Sequence, residues 1–95
     1  MKIPKTLKIG GHTYKVILRS REETDGVETL GSASIFTYLK IWVDSGQKQS
    51  QQESTLLHEI IEVISAINKV GLTEQQICIL ETGLYQVLND NKMLK

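Results

Sequence analysis

One short stretch, residues 54–64, carries side chains whose types and spacing could do chemistry. Within it His58 and Glu62 are four residues apart, and Glu59 follows His58 directly. On an α-helix, residues four apart share a face, with Cβ atoms about 5–6 Å from each other, and the next residue points about 100° further round. An imidazole and a carboxylate on one face are candidate metal ligands, and a carboxylate beside them is a candidate base. The stretch therefore predicts a metal-binding helix with His58 and Glu62 as ligands and Glu59 as the catalytic group.

A third carboxylate, Glu81, is conspicuous because of its apolar surroundings in a second predicted helix. The apolar side chains of that helix are Ile77, Leu80, Leu84, Tyr85, Val87 and Leu88. At about 100° per residue, Glu81 falls inside the arc that they define. An unpaired buried charge is costly, so Glu81 must be exposed, paired with a cation or bound to a metal. If this face meets the polar edge of the first helix, Glu81 becomes a third ligand beside His58 and Glu62, and a fourth position is left for water.

The strands that must support these helices are predicted from alternation and turn signals. Residues 6–19 alternate between apolar and polar side chains around a pair of glycines, which predicts a β-hairpin. A polar loop follows over residues 20–31. Two further strands are expected at residues 32–36 and 39–44, the second rich in β-branched and aromatic side chains. The whole sheet is thus placed within residues 6–44.

Two helices follow the sheet in the sequence. The helix that carries the metal motif is predicted over residues 51–69, and Gly71 would end it. A capping box that begins at Thr73 starts the second helix, predicted over residues 73–92. Strands that precede helices favour an α+β fold, here a single domain of residues 1–95 in which a small antiparallel β-sheet is followed by two antiparallel helices.

Composition limits the classes of protein to which the chain can belong. Lys plus Arg and Asp plus Glu both number 11, so the formal net charge is zero and no nucleic-acid partner is expected. A net charge near zero gives little repulsion between copies, which permits a homodimer. No apolar run approaches the roughly 18 residues of a membrane span, and none follows the N-terminus as in a signal peptide. We therefore expect a cytoplasmic protein without a membrane partner.

Two further side chains carry predictions of their own. Cys78 is the one cysteine, which fits a reducing cytosol, and its helical context predicts a packed, buried or half-buried thiol rather than a nucleophile. Tyr85 follows Glu81 by four residues. A core tyrosine with a solvated hydroxyl is the favoured interpretation, and a hydrogen bond to a substrate oxyanion is the alternative. The charged segment 21–26 is interpreted as a solvated loop surface.

Two motifs relate the chain to a known family: His-Glu-Ile-Ile-Glu at residues 58–62 and Leu-Glu-Thr-Gly-Leu-Tyr at residues 80–85. Together they resemble the gluzincin-type metallopeptidases, and in particular the minimal zincin-like domains of phage and prophage proteins. In that family the first helix carries His-Glu-x-x-His, and a glutamate on the following helix is the third ligand. The resemblance covers most of residues 39–90. It implies a zincin-like fold and a metal-dependent peptidase that acts on a protein or peptide in the cytosol of a bacterial host.

The resemblance also implies roles for individual residues. His58 and Glu81 correspond to metal ligands, and Glu59 corresponds to the base that activates water for attack on a peptide carbonyl. Glu62 corresponds to the second histidine by position and not by residue type. The implied ion is zinc. The strand at residues 41–44 resembles the edge strand that borders the substrate cleft.

Glutamate at position 62 changes the expected chemistry. Two histidines and one carboxylate leave a zinc site with a net positive charge, whereas one histidine and two carboxylates leave it neutral. A neutral site polarises its water less, and carboxylates suit harder ions, so manganese or iron becomes more competitive with zinc. The alternative is a non-catalytic, degenerate zincin-like domain that serves as a phage binding or structural protein. In it His58, Glu62 and Glu81 would form a polar network, with no metal, at a homodimer or partner interface.

Overall fold

The alternating segments before residue 45 form strands, and the two periodic apolar segments after it form helices. The computed structural model describes residues 2–20 and 30–94. The elements are β1 (Thr6–Ile9), β2 (His12–Arg19), β3 (Gly31–Ser34), β4 (Lys40–Asp44), α1 (Gln49–Ile67) and α2 (Glu74–Asp90). This order confirms the predicted α+β class. Most of the predicted loop 20–31, including the charged segment 21–26, lies outside the described residues.

The strands of the described chain form one sheet in the order β1-β2-β4-β3. Strands β1 and β2 are antiparallel, in agreement with the predicted hairpin, and β3 and β4, which correspond to the two further predicted strands, are antiparallel too. Strands β2 and β4 are parallel, with Lys15 opposite Lys40 and Arg19 opposite Asp44. The prediction of a wholly antiparallel sheet is therefore wrong at the β2–β4 pairing. Alternation identifies each strand, but it carries no information about which strands of two hairpins become neighbours.

The position of β4 corrects a second expectation. The strand at residues 41–44 was expected to resemble an edge strand, but β4 is paired on both sides and β3 is the outermost strand at that end of the described sheet. Burial gives the reason, since Ile41 is 0% and Val43 is 1% exposed. A strand this apolar gains most from an inner position, whereas β3, with the sequence Gly-Ser-Ala-Ser, has little apolar surface to bury.

The core lies between the sheet and α1. Its fully buried side chains are Tyr14, Ile41, Val43, Leu56 and Val63. Burial of a tyrosine requires a partner for its hydroxyl, and Tyr14 donates to the carbonyl oxygen of Ile35 at 2.8 Å. Helix α1 is therefore held by apolar contacts along one face, which fixes the direction in which its polar residues point.

The helix boundaries agree with the predicted ones to within two residues, the usual uncertainty of helix ends. After α1 and its C-cap Asn68 the chain takes positive φ at Lys69 (55°), whose backbone N–H donates to the carbonyl oxygen of Ala66, so Lys69 ends the helix. The predicted stop at Gly71 is therefore wrong by two residues, although Gly71 also has positive φ (71°). The predicted capping box is confirmed. The hydroxyl of Thr73 accepts from the backbone N–H of Gln76 at 3.1 Å, and the Gln76 side chain accepts from the Thr73 N–H at 2.9 Å.

Helix α2 packs on α1 in the antiparallel sense, because Glu53 near the start of α1 contacts Tyr85 near the end of α2, while His58 contacts Glu74 at its start. All of α2 is described, and Ile77 is its only buried residue. The prediction that Cys78 is buried or half-buried is wrong: Cys78 is exposed, because among the described elements α2 packs mainly on α1. Among the described residues, neither helix has the length and apolar character needed to cross a membrane.

Two glycines give opposite predictions for substitution by alanine. At Gly31 a Cβ would lie 2.6 Å from Thr55 Cγ2 and 3.1 Å from the backbone oxygen of Trp42. We expect Gly31→Ala to lower the free energy of unfolding by about 1–3 kcal/mol, the usual cost of overpacking. At Gly83, inside α2, a Cβ would meet nothing within 4 Å. Gly83→Ala should stabilise by up to about 1 kcal/mol through helix propensity. Urea unfolding of both variants checks this, and equal stability of Gly31→Ala and wild type would contradict the close approach of β3 to α1.

Candidate metal centre

One imidazole is the meeting point of the two helices. His58 Nδ1 lies 2.8 Å from Glu81 Oε1, and His58 Nε2 lies 3.0 Å from Glu74 Oε1 and 3.5 Å from Glu62 Oε1. The His58 side chain is 14% exposed. The structure therefore brings the predicted residues His58, Glu62 and Glu81 into contact, with the two carboxylates at different nitrogens of the ring.

Glu81 lies on the side of α2 that meets α1, between the buried Ile77 and the half-buried Tyr85, whereas Leu80, Leu84 and Val87 of the same apolar arc are exposed. Its second carboxylate oxygen accepts a short hydrogen bond from the hydroxyl of Ser54, which lies one turn before His58 on the same face of α1. Both oxygens of Glu81 thus have partners on α1, and its side chain is 21% exposed. The sequence-based requirement that this carboxylate be exposed, paired or metal-bound is thus met by its pairing with Ser54 and His58.

Glu59 faces the sheet side of the same helix and is 4% exposed. Its Oε1 is buried and, within the described residues, has no hydrogen-bond partner. Burial and, after it, the carboxylates of Glu62, Glu74 and Glu81 together raise the pKa of Glu59 to about 8. The predicted base therefore lies beside the cluster with an uncompensated oxygen, in a cleft that His58, Glu59 and Glu81 line together.

Two sets of donor atoms in the described chain are close enough to hold an ion, and both include His58. One set is His58, Cys78 and Glu81, and the other is His58, Glu59 and Glu62; in each, the donor atoms lie within 4.8 Å of one another. The predicted trio His58, Glu62 and Glu81 is not one of these sets, although each of its carboxylates contacts the ring. It stays a prediction.

Three contributors were missed in the sequence: Ser54, Glu74 and Cys78. A signal for two of them was present, because residues 74, 78 and 81 follow one another at spacings of four and three and so share a face of α2. That spacing does not stand out in the sequence, because a cysteine within a helix is usually a small apolar side chain. Ser54 carries no such signal, since serine at a polar helix position is common and its partner lies 27 residues away.

The charges of the cluster fit a divalent cation. Four carboxylates, from Glu59, Glu62, Glu74 and Glu81, surround one histidine. In the ranges that the structure describes, none of the four forms an ion pair with a lysine or arginine. Loss of solvent around the sulfur, together with Glu74 and Glu81, also raises the pKa of the Cys78 thiol. A divalent cation would offset the repulsion among the carboxylates and would favour the ionised thiolate of Cys78. Nitrogen, oxygen and sulfur atoms are the ligands that zinc takes in proteins.

Glu53, another buried carboxylate of α1, differs from Glu59 because hydrogen-bond donors surround it. Glu53 is 5% exposed and accepts hydrogen bonds from the Tyr85 hydroxyl at 2.7 Å and from Gln49 at 3.1 Å. Burial by itself would raise the pKa of Glu53, but these hydrogen bonds hold it below its ordinary value. Burial and the same bond raise the pKa of Tyr85 to about 12. The Tyr85 hydroxyl thus binds Glu53, a partner that the sequence did not identify.

This bond gives a stability prediction. Tyr85→Phe removes the hydroxyl that donates to Glu53, so we expect the free energy of unfolding to fall by about 1–2 kcal/mol, as for a hydrogen bond to a charged group. Tyr38→Phe is the matched control, because Tyr38 is 69% exposed and should change stability by less than about 0.5 kcal/mol. Chemical denaturation of both variants measures the difference. Equal stability of the two would contradict the assigned role of Tyr85.

Comparison of the chain with protein families, with curated proteins and with solved structures found no match.

Proposed function

We propose that the chain is a metal-dependent, peptidase-like hydrolase whose metal centre is built on His58. The observation that carries the proposal is the group of four glutamates around one histidine, with no lysine or arginine paired to them in the described residues. Like charges held this close oppose folding unless a cation or protons offset them. The buried, unpartnered oxygen of Glu59 in the same cleft adds a second reason to expect a ligand there.

The ligands that we propose are His58 from α1 and Glu81 from α2, which are already in contact. The sequence predicts Glu62 as the third ligand, and Cys78 lies within reach as an alternative. Zinc is the proposed ion, and manganese or iron would compete if all the charged ligands were carboxylates. A divalent ion bound there would supply Lewis acidity for a carbonyl oxygen and make a nearby water more acidic.

The residues of the chain would do the rest of the chemistry. Glu59 is buried next to the proposed ligands, and its free oxygen would take a proton from the attacking water and return it to the leaving amine. Burial and the neighbouring carboxylates raise its pKa to about 8, and a group with a pKa near neutrality suits this exchange. The cleft adjoins Gly31 at the start of β3, the outermost strand at that end of the described sheet. An extended peptide could pair with such a strand, which supports a peptide as the substrate.

The test is metal-dependent cleavage by the chain without a histidine tag. The protein is stripped with a chelator and incubated with an unfolded protein substrate, with and without added zinc, and new termini are identified by mass spectrometry. We expect cleavage only with metal, and none by His58→Ala. His12→Ala is the matched control, because His12 is the other histidine and is exposed. Equal cleavage without metal, or by His58→Ala, would overturn the proposal.

A second function is favoured by one specific observation. His58 has carboxylates at both ring nitrogens and Glu81 has partners at both oxygens, so the network can hold α1 and α2 together with no ion. Helix α2 also leaves Leu80, Leu84 and Val87 more than 40% exposed, a surface that a second copy of the chain could cover. In this non-catalytic function zinc would change neither stability nor cleavage, and sedimentation would show a dimer that Leu84→Lys dissociates.

A further inference from the structure

We infer that Cys78 is the third protein ligand of the proposed metal centre, so that the ion is held by His58, Cys78 and Glu81. The inference rests on the proposed function and names the ligand set of that site. Its first support is distance: the sulfur of Cys78, a ring nitrogen of His58 and a carboxylate oxygen of Glu81 lie within 4.8 Å of one another. Its second support is the buried oxygen of Glu59, which has no partner in the described residues and belongs to the same cleft.

The fold of α2 explains why the sulfur is in place. Cys78 precedes Glu81 by three residues, so both side chains leave the helix on the face that meets His58. Zinc–ligand bonds of about 2.0–2.3 Å at tetrahedral angles put donor atoms roughly 3.3–3.7 Å apart. The limit of 4.8 Å within which the donor atoms lie exceeds this spacing by about 1.1–1.5 Å at most. Cys78 is exposed, and its sulfur has a weak contact of 3.8 Å with Glu74 Oε1 that a change of rotamer would break. Side-chain rotation alone can therefore complete the set.

The two sides of the His58 ring then take different tasks. Glu81 contacts Nδ1, so we assign Nδ1 to the ion, while Nε2 lies 3.0 Å from Glu74 and 3.5 Å from Glu62. A histidine that binds a metal through one nitrogen commonly donates its other N–H to a carboxylate, which fixes the ring. In this arrangement Glu62 is a positioning residue and not a ligand, because it lies at the nitrogen opposite to Glu81.

The donor set determines the preferred ion. Binding replaces the sulfur–hydrogen bond of Cys78 with a sulfur–metal bond, and the proton leaves to solvent. One neutral imidazole, one thiolate and one carboxylate make a neutral site with zinc, and a thiolate favours zinc or cobalt over manganese or magnesium. Cys78→Ser should therefore weaken zinc binding by about 100-fold or more, beyond the 10–100-fold loss expected when a residue that only orients a ligand is removed.

Cobalt substitution tests the inference directly. Metal-free wild type is titrated with cobalt(II), and absorbance is read in the visible, where tetrahedral cobalt absorbs, and in the near ultraviolet, where thiolate-to-cobalt charge transfer absorbs. We expect both bands in wild type, with loss of the charge-transfer band in Cys78→Ser. Cobalt bound without a charge-transfer band in wild type would overturn the inference and leave the proposed function standing. No cobalt bound at all would overturn both.

Glu62→Gln is the matched variant, and the single cysteine provides a second readout. Glutamine at position 62 should keep the charge-transfer band and weaken binding by about 10–100-fold, as removal of an orienting partner does. Zinc should slow the reaction of Cys78 with an aromatic disulfide reagent in wild type and, at saturating zinc, in Glu62→Gln. Loss of metal binding in Glu62→Gln with normal binding in Cys78→Ser would reverse the assignment.

Discussion

Glutamine in place of Glu59 is expected to lower the metal-dependent cleavage rate by about 10²–10⁴-fold, the usual contribution of a general acid–base residue. Metal content should stay unchanged, because Glu59 is not one of the proposed ligands. The metal-free variant should also be more stable than wild type at pH 8, since glutamine cannot ionise, whereas burial and neighbouring carboxylates disfavour the ionised form of Glu59. Loss of activity together with a gain in stability distinguishes a catalytic role from a structural one.

Glu53→Gln is the control for that experiment. It makes the same change in the same helix at a residue that is also buried, but Glu53 has the Tyr85 hydroxyl as a partner. We expect Glu53→Gln to be less stable than wild type and, per folded molecule, equally active. Cleavage by Glu59→Gln at the wild-type rate, or loss of its metal, would show that Glu59 is not the base.

The second large effect is on the pH dependence of stability in the metal-free protein. The folded chain raises the pKa of Glu59 from 4.5 to about 8, so the folded state binds this proton more tightly than the unfolded state does. The associated stability is present in full below about pH 4.5 and is lost as the pH rises to about 8. Ionisation of Glu59 should thus lower the free energy of unfolding by on the order of 3 kcal/mol between pH 4.5 and pH 8. This is less than the full value of about 1.4 kcal/mol per pH unit, because the surroundings of the carboxylate relax when it ionises.

The effect is measured as the difference in free energy of unfolding between Glu59→Gln and wild type at each pH. The groups that face Glu59 are His58 and Glu62 on α1 and Glu74, Cys78 and Glu81 on α2, and all of them remain in Glu59→Gln. We expect Glu59→Gln to gain on wild type steadily from pH 5 to pH 8 in a chelating buffer, by urea unfolding. Parallel pH profiles for the two proteins would contradict the burial of an uncompensated carboxylate.

Much of the fold followed from local patterns. Alternation located the strands, and the capping box at Thr73 located the start of α2. The residue that ends α1 is Lys69 and not the predicted Gly71, because a lysine carries no signal that it will adopt a left-handed conformation. The parallel contact between β2 and β4 did not follow, because it depends on which hairpin edges meet and not on any residue of either strand. The β-branched residues of β4 indicate an inner strand, whereas the resemblance to the metallopeptidases predicts an edge strand, which is wrong.

Local patterns in the sequence also predicted part of the site. Spacing placed His58, Glu59 and Glu62 on one helix, and the misplaced charge of Glu81 pointed to a partner on that helix, as the contact with His58 bears out. The side of the ring that each carboxylate contacts depends on the angle between α1 and α2, which no spacing within one helix can give. The exposure of Cys78 could not be predicted from its residue type, because it depends on α2 packing mainly on α1 among the described elements.

Zinc titration of the metal-free, untagged chain by calorimetry tests the central claim most directly. We predict that wild type and His12→Ala each bind about one zinc ion per chain, as expected for a single tetrahedral site, and that His58→Ala binds none at the same concentration. Absence of binding by wild type, or undiminished binding by His58→Ala, would contradict a metal centre at the contact between α1 and α2.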